Sequence, residues 1–237
     1  MTMHERAPDG ARYFLDHFSD AKAIANYAEG PRRFVPGFDA LHAMTSVLLA
    51  ERAPEKARVL VLGAGGGLEL KALASDHPGW TFTGVDPAKP MLDLARKALG
   101  TMMERVELIE GYIDDAPDGP FDAAVCLLTL HFLNAGERRR TVEAIHRRLK
   151  PGAPFVVAHS SFPQGAKDEW LARYSAFAVA RGADPEQAAN ARSAVAASLN
   201  LFDPAQDEAI LRSAGFADAA LFFAAFTWRG WIGHAWS

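Results

Sequence analysis

Five consecutive residues, Gly63-Ala-Gly-Gly-Gly67, directly follow an apolar run, Val59-Leu-Val-Leu62, and lead into Leu68-Glu-Leu-Lys-Ala-Leu73, which has helical period. A strand that turns through glycines into a helix brings backbone close to a ligand and aims the first helical N–H groups at it. A small cofactor is expected there. A dinucleotide loop would read G-x-G-x-x-G, with a third glycine where helix packs on strand, but counting from Gly63 that place holds Leu68. Asp86 ends the next apolar run, where a carboxylate accepts two hydrogen bonds from vicinal ribose hydroxyls. It would serve either kind of cofactor and also reads as a helix N-cap, so Asp86 leaves the choice open. His131 and His159 follow at the ends of two later strands on the same edge, with ordinary pKa values that suit general-base work near neutrality.

The frame that must position these residues is an alternation of β-branched runs with helical segments, the pattern of a parallel sheet covered by helices. Strands are expected at Val59–Leu62, Trp80–Val85, Val106–Ile109, Phe121–Leu128 and Pro154–Ala158. Asp86-Pro87 is expected to open one helix, acid at the cap and proline in the first turn. Asn134 caps another that runs to Leu149-Lys150 and stops before Pro151-Gly152. The Ala-rich stretch from Gly165 to Asn200 is too long for a simple connection and reads as a helical insertion. Asp203-Pro-Ala-Gln206 starts a further helix that ends at Ala214-Gly215. Asp218–Phe226 and Trp228–Trp236 read as an antiparallel pair at the sheet edge. Ahead of the first strand, Ala11–Ala28 and Phe38–Arg52 look helical. The aromatics of these flanking segments, Tyr13, Phe14, Phe18, Tyr27, Trp170, Tyr174 and Phe177, read as packing.

Composition narrows the setting. The chain has 237 residues, 49% hydrophobic and 23% charged, which suits one sizeable core. A single cysteine, Cys126, excludes an intramolecular disulfide and a cysteine zinc cluster; within its apolar strand it behaves as a small hydrophobe, and no metal site is expected. There is no apolar run of the roughly 20 residues a membrane helix needs and no signal-peptide pattern, so a cytoplasmic protein without membrane contact is expected. A formal net charge of −4 argues against a chain that clamps nucleic acid by bulk charge. Arg138-Arg-Arg140 with Arg147-Arg148 lies among acids, Glu137 and Glu143, and reads as a solvated face.

In chain order, Val59-Leu-Val-Leu-Gly-Ala-Gly-Gly-Gly67, Gly84-Val-Asp-Pro87, Glu110-Gly-Tyr-Ile-Asp114, Phe121-Asp-Ala-Ala-Val125, Leu149-Lys-Pro-Gly152 and Ala214-Gly-Phe216 resemble the class I S-adenosylmethionine-dependent methyltransferase family. The resemblance implies an α/β, Rossmann-like, seven-stranded, mostly parallel sheet with an antiparallel last strand, a helical N-terminal segment and a helical insertion after the fifth strand. It further implies S-adenosyl-L-methionine as cofactor. Gly63, Ala64 and Gly65 would face its methionine part and Asp86 its ribose, with Pro87 and Met91 among the contacts. Tyr112 and Ile113 would meet the adenine, and Leu127 and Leu128 would lie beside the sulfonium. Two positions depart from the family pattern: Val61 stands where an aspartate often orders the first loop, and Tyr112 where one commonly meets the adenine amino group. Glu69 and Tyr112 are the candidates for substitute contacts.

One branch resembles the chain further, the carboxy-S-adenosylmethionine synthases of wobble-uridine tRNA modification. The shared segments are Arg33-Phe-Val-Pro-Gly-Phe38, Leu128-Thr-Leu-His-Phe-Leu133 and Arg192 in the insertion. That branch implies Arg33 and Phe38 as cofactor contacts and Arg192 as partner of the extra carboxylate of carboxy-S-adenosyl-L-methionine. Phe38 replaces a tyrosine of the branch and Leu127 a polar side chain, so altered chemistry is expected. The expectation is a methyltransferase with a small-molecule acceptor, the synthase activity and its tRNA pathway link being the alternative, and a non-catalytic cofactor-binding protein a further one. A homodimer is expected, and one domain divides into a helical segment (1–55), a cofactor-binding core (56–162), a helical lid (163–202) and a closing helix and hairpin (203–237).

Overall fold

A computed structural model describes residues 29–236; the helix expected at 11–28, with its four aromatics, lies outside the described residues. The elements are α1 (Gly30–Phe34), α2 (Phe38–Ala50), β1 (Arg58–Leu62), α3 (Leu68–Asp76), β2 (Thr81–Asp86), α4 (Lys89–Leu99), β3 (Val106–Glu110), β4 (Ala123–Leu127) and α5 (Ala135–Arg148). They continue with β5 (Pro154–Ser160), α6 (Lys167–Ala180), α7 (Pro185–Ser198), α8 (Pro204–Ser213), β6 (Ala220–Ala225) and β7 (Trp228–His234). The sheet has seven strands in the order β3-β2-β1-β4-β5-β7-β6. β7 pairs antiparallel with both β5 and β6, and the other strand pairs are parallel. The order reverses between β1 and β4, and in α/β sheets ligands bind beside such a switch point, at the carboxyl ends of the strands.

Alternate residues of the central strands face opposite cores, as a period of two requires. Val59, Val61, Ala123 and Val125 join Leu41, Leu70 and Leu92 of α2, α3 and α4 on one face. Leu60, Leu62, Ala124 and Cys126 join Val142, Ile145 and Leu211 of α5 and α8 on the other. Both faces are covered, so β4 and β1 beyond its exposed first residue, Arg58, are apolar. Parallel register sets Leu62 opposite Val85 and Val61 opposite Val125, which aligns the ends of β1, β2 and β4.

The caps expected at Asn134 and Asp203 are present as capping boxes with Glu137 and Gln206. Asp86 is not an N-cap. Its Oδ1 accepts from the Ala88 N–H at 2.8 Å, Ala88 stays extended, and α4 starts at Lys89 with Pro90 in its first turn. The fourth strand is shorter than expected, because Phe121 makes only an isolated bridge to Leu149. The insertion is a helix pair, α6 and α7. Trp228 Nε1 donates to the Phe34 carbonyl at 3.0 Å and the Phe34 ring meets Tyr174 at 5.1 Å, so α1, α6 and β7 are tied together above the switch point.

Candidate functional site

The ends of β1, β2 and β4 border a cavity of about 620 Å³, within the range of small-molecule sites. Its floor is the Gly63–Gly67 turn. Gly63 has φ +79°, and a Cβ there would collide with Thr129, whose hydroxyl donates to the Leu127 carbonyl at 2.9 Å. Gly67, at φ +78°, lies so close to α4 that a Cβ would come within 2.9 Å of Ala95. Glycine alone meets both conditions. Four of the turn's N–H groups are engaged within the chain. Gly63 and Ala64 both donate to the Val85 carbonyl, at 2.8 and 3.1 Å; Gly65 donates to Asp86 Oδ2 at 2.9 Å, and Gly67 to the Ala64 carbonyl at 2.9 Å. A pyrophosphate would find those four donors already engaged.

Two carboxyl groups face each other across this floor. Asp86 receives one N–H on each oxygen, which leaves acceptor capacity on both. Burial pushes its pKa up to about 6, although the N–H bonds from Ala88 and Gly65 oppose the rise. Glu69, in the first turn of α3, is 9% exposed, and its Oε1 has no hydrogen-bond partner. Burial, and then the charge of Asp86, holds its carboxyl well above the usual carboxylate range. Leu127 and Leu128 form the adjacent wall. Leu128 takes φ +55°, a conformation that costs a non-glycine residue about 1–3 kcal/mol, and its N–H donates to the Ala158 carbonyl at 2.6 Å.

The roof is largely apolar and aromatic: Phe34, Val35 and Phe38, Phe132, Tyr174, Val195, Leu199 and Trp228. His42, one helical turn after Phe38 and 4.4 Å from its ring, is held neutral because burial lowers its pKa to about 4. His131 lines the cavity, and burial, then the charges of His159 and Arg138, lowers its pKa well below the ordinary value. The Ser160 N–H donates to His131 Nδ1 at 3.2 Å, so that nitrogen carries the lone pair and Nε2 the proton. In that form His131 donates through Nε2, whereas base work at that atom would need its lone pair. His159 does not line the cavity. It sits with Nε2 3.2 Å from Asp207, below the Trp231 ring on the opposite side of the sheet.

A search for related sequences finds the carboxy-S-adenosyl-L-methionine synthase of Chromohalobacter salexigens, 30% identical over 74% of this chain and 67% of that protein. The chain belongs to the class I S-adenosylmethionine-dependent methyltransferase family. A methyltransferase domain model matches residues 59–152, which hold the glycine turn, Asp86 and β4. A synthase of the same name from Aeromonas hydrophila is 26% identical over 92% of this chain and 90% of that protein. Among solved structures, an O-methyltransferase family protein from Burkholderia thailandensis shares the fold at TM-score 0.68 and 19% identity, over 93% of this chain; the chain spans 62% of that structure's length. Human N-acetylserotonin methyltransferase, solved with its S-adenosylmethionine, matches at TM-score 0.57 and 21% identity, over 81% of this chain and 51% of that one.

Of the residues expected at this methyltransferase site, Gly63, Ala64, Gly65, Asp86, Met91, Leu127, Leu128, Arg33, Phe38 and His131 meet in the cavity. Five do not line it. Pro87 follows Asp86 outside the lining, and Ile113 is buried in the far core with Leu62 and Val85. Tyr112 opens a 3-10 turn, its N–H donating to Asp115 at 2.8 Å. Arg192 donates to the Asp168 carbonyl at 3.3 Å, toward α6. His159 belongs to the buried cluster described above. Tyr174, expected as packing, is both packed and part of the wall. Glu69 apart, the chief additions are His42, Thr129 and Trp228; the i, i+4 spacing of Phe38 and His42 was the available signal for the first. The basic run is also corrected. Arg138 and Arg148 are buried, Arg138 against Asp207 and the carbonyls of Leu130 and Asn200 at 3.0 and 2.7 Å, and Arg148 against the carbonyls of Pro117 and Ala144.

Proposed function

We propose that the protein transfers a methyl group from S-adenosylmethionine to a small, largely apolar acceptor, and that it does so in the cytoplasm. The residues present fit that cofactor. The glycine turn admits close approach, Asp86 keeps acceptor capacity for two ribose hydroxyls, and the neighbouring wall, Leu127 and Leu128, suits the sulfonium region. S-adenosylmethionine supplies an electrophilic methyl group. The chain's own part is to hold the two reactants in line and keep water away. Phe38, Phe132, Tyr174 and Trp228 present ring faces and edges to the acceptor, whereas Arg33, bound to Glu29 at 2.7 Å, is the one permanent cation among the described lining residues. His131, a neutral donor, orients an acceptor oxygen or nitrogen but takes no proton from it. The acceptor must therefore arrive with its lone pair available or lose its proton to solvent.

The observation that carries this reading is the pairing of a close-approach glycine turn and a ribose-type acid with an apolar roof. Incubation with methyl-labelled S-adenosylmethionine and a panel of small aromatic phenols, amines and acids tests it. Label in at least one aromatic acceptor is expected, and label only in charged, non-aromatic acceptors would overturn the assignment of the roof.

A second reading is favoured by the names of the related synthases: a carboxylated cofactor, and through it a link to tRNA modification. Arg33 lines the cavity and is the cation that would meet an extra carboxylate, in exchange for Glu29, whereas Arg192 donates to the Asp168 carbonyl. Mass spectrometry of ligand carried through purification separates the two, because the carboxyl adds mass.

A further inference from the structure

Glu69 is the group in the cavity that the proposed function leaves without work. Its carboxyl is more than nine-tenths buried, lines the cavity, and keeps Oε1 without a hydrogen-bond partner. Buried polar atoms are nearly always paired, and an unpaired one in a binding cavity marks where a ligand group belongs. A cationic donor is the ligand group that suits a carboxyl held beside a second acid, and the surroundings support it. Asp86 lies close enough for its charge to act on Glu69, so the floor carries two acids and no basic side chain. The turn beneath has spent the N–H groups of Gly63, Ala64, Gly65 and Gly67 on Val85, Asp86 and Ala64, and two acids beside it disfavour an anion. The nearest other titratable groups do not change this balance. Burial, and then Glu69 itself, pushes the Cys126 thiol of β4 up, and burial keeps His42 and His131 neutral.

The geometry points to Glu69 as the carboxylate that takes the primary ammonium of the cofactor's amino-acid tail. This rests on the proposed cofactor and deepens it. Val61 leaves no acid at the end of β1, and Glu69 approaches the same turn from the helix that follows it. Burial and Asp86 together disfavour the ionised form of Glu69. An ammonium beside it reverses that preference and forms a charge-assisted hydrogen bond with Oε1.

Titration calorimetry with three ligands tests the assignment. S-adenosylmethionine carries both ammonium and sulfonium, S-adenosylhomocysteine the ammonium alone, and 5′-methylthioadenosine neither. Glu69→Gln keeps the shape and removes the charge. It is expected to weaken both tailed ligands by roughly tenfold to a hundredfold, the range for hydrogen bonds to charged groups, and to leave 5′-methylthioadenosine within about twofold, a shift well under the tenfold that 1.4 kcal/mol produces. Equal loss for all three ligands, no loss for any, or loss for S-adenosylmethionine alone would overturn it, the last by assigning Glu69 to the sulfonium. A comparison on the unaltered protein stands independently of the variant's folding: deaminated S-adenosylhomocysteine should bind at least about tenfold more weakly than the parent, and equal affinity contradicts the assignment. If the unaltered protein binds no adenosyl ligand, the cofactor reading itself falls; if it binds all three and Glu69→Gln changes nothing, only this inference falls.

Discussion

Glu69 and Asp207 are both buried acids, and their surroundings are opposite. Asp207, on α8, meets the guanidinium of Arg138 and the ring of His159, and Arg138 in turn donates to three backbone carbonyls. Burial alone would raise its pKa; His159, Arg138 and a hydrogen bond with Ser161 outweigh that and hold it at about 2. One oxygen of each acid lacks a hydrogen-bond partner, Oδ2 of Asp207 and Oε1 of Glu69, but Glu69, on α3, has an acid, Asp86, for a neighbour where Asp207 has a guanidinium. A carboxylate whose partner is built into the chain serves the fold. One with no cation beside it is, on the assignment proposed above, completed by a cation that arrives.

The sharpest break of that comparison is to remove one partner of the first acid. Asp207→Ala leaves Arg138 buried and uncompensated, so urea unfolding should show a loss of about 3–5 kcal/mol. A loss below about 1 kcal/mol, the ceiling for exposed pairs, would mean that the pair is not the buried network described here. Glu69→Gln should unfold at the wild-type urea concentration or above it, since no partner is lost.

The next effect is on binding. Asp86→Ala removes the acceptor for the ribose and for the Gly65 and Ala88 N–H groups. Calorimetry should show S-adenosylhomocysteine weakened by about 1.5–3 kcal/mol; unchanged affinity in a folded variant refutes the role. Gly63→Ala forces an L-residue into φ +79° against Thr129 and should lower stability by about 1–3 kcal/mol, with cofactor affinity falling alongside.

pH separates the acids by sign. Asp207 has a lowered folded pKa, so its contribution is present above about pH 4 and is lost as pH falls through about 2. Asp86 has a raised one, so the stability it adds is present below about pH 4 and is lost as pH rises through about 6. Buried neutral histidines, His42 among them, act in the contrary sense in the same window. The readout is therefore the difference between wild type and Asp86→Asn: stability of the wild type relative to the variant should fall from pH 4 to pH 6, and a flat difference would contradict the raised pKa. The smallest expected change is none: nitrogen NMR should show His131 as the neutral Nε2–H form from pH 5 to pH 8.

What could be read from the sequence was local. Val59–Leu62, the glycines after it and Asp86 lie within 28 residues and carry their geometry in spacing alone, because a buried strand, a turn at positive φ and a strand-end acid each need a particular residue type. Long-range choices were not legible. A strand-end histidine faces either side of the sheet, and only packing decided that His131 meets the cavity while His159 meets Asp207. Arg138 looked solvated beside Glu137 because its true partner, Asp207, lies 69 residues on. Tyr112 was expected to face the cofactor from its place after β3, but the 3-10 turn set by Asp115 fixes its backbone outside the lining.

The most direct measurement is titration of the purified protein with S-adenosylhomocysteine and, separately, with a nicotinamide dinucleotide. One site per chain with micromolar affinity, about −8 kcal/mol, for the first, and no heat for the second, is the predicted result. Heat from the dinucleotide, or none from either up to millimolar concentration, would contradict it.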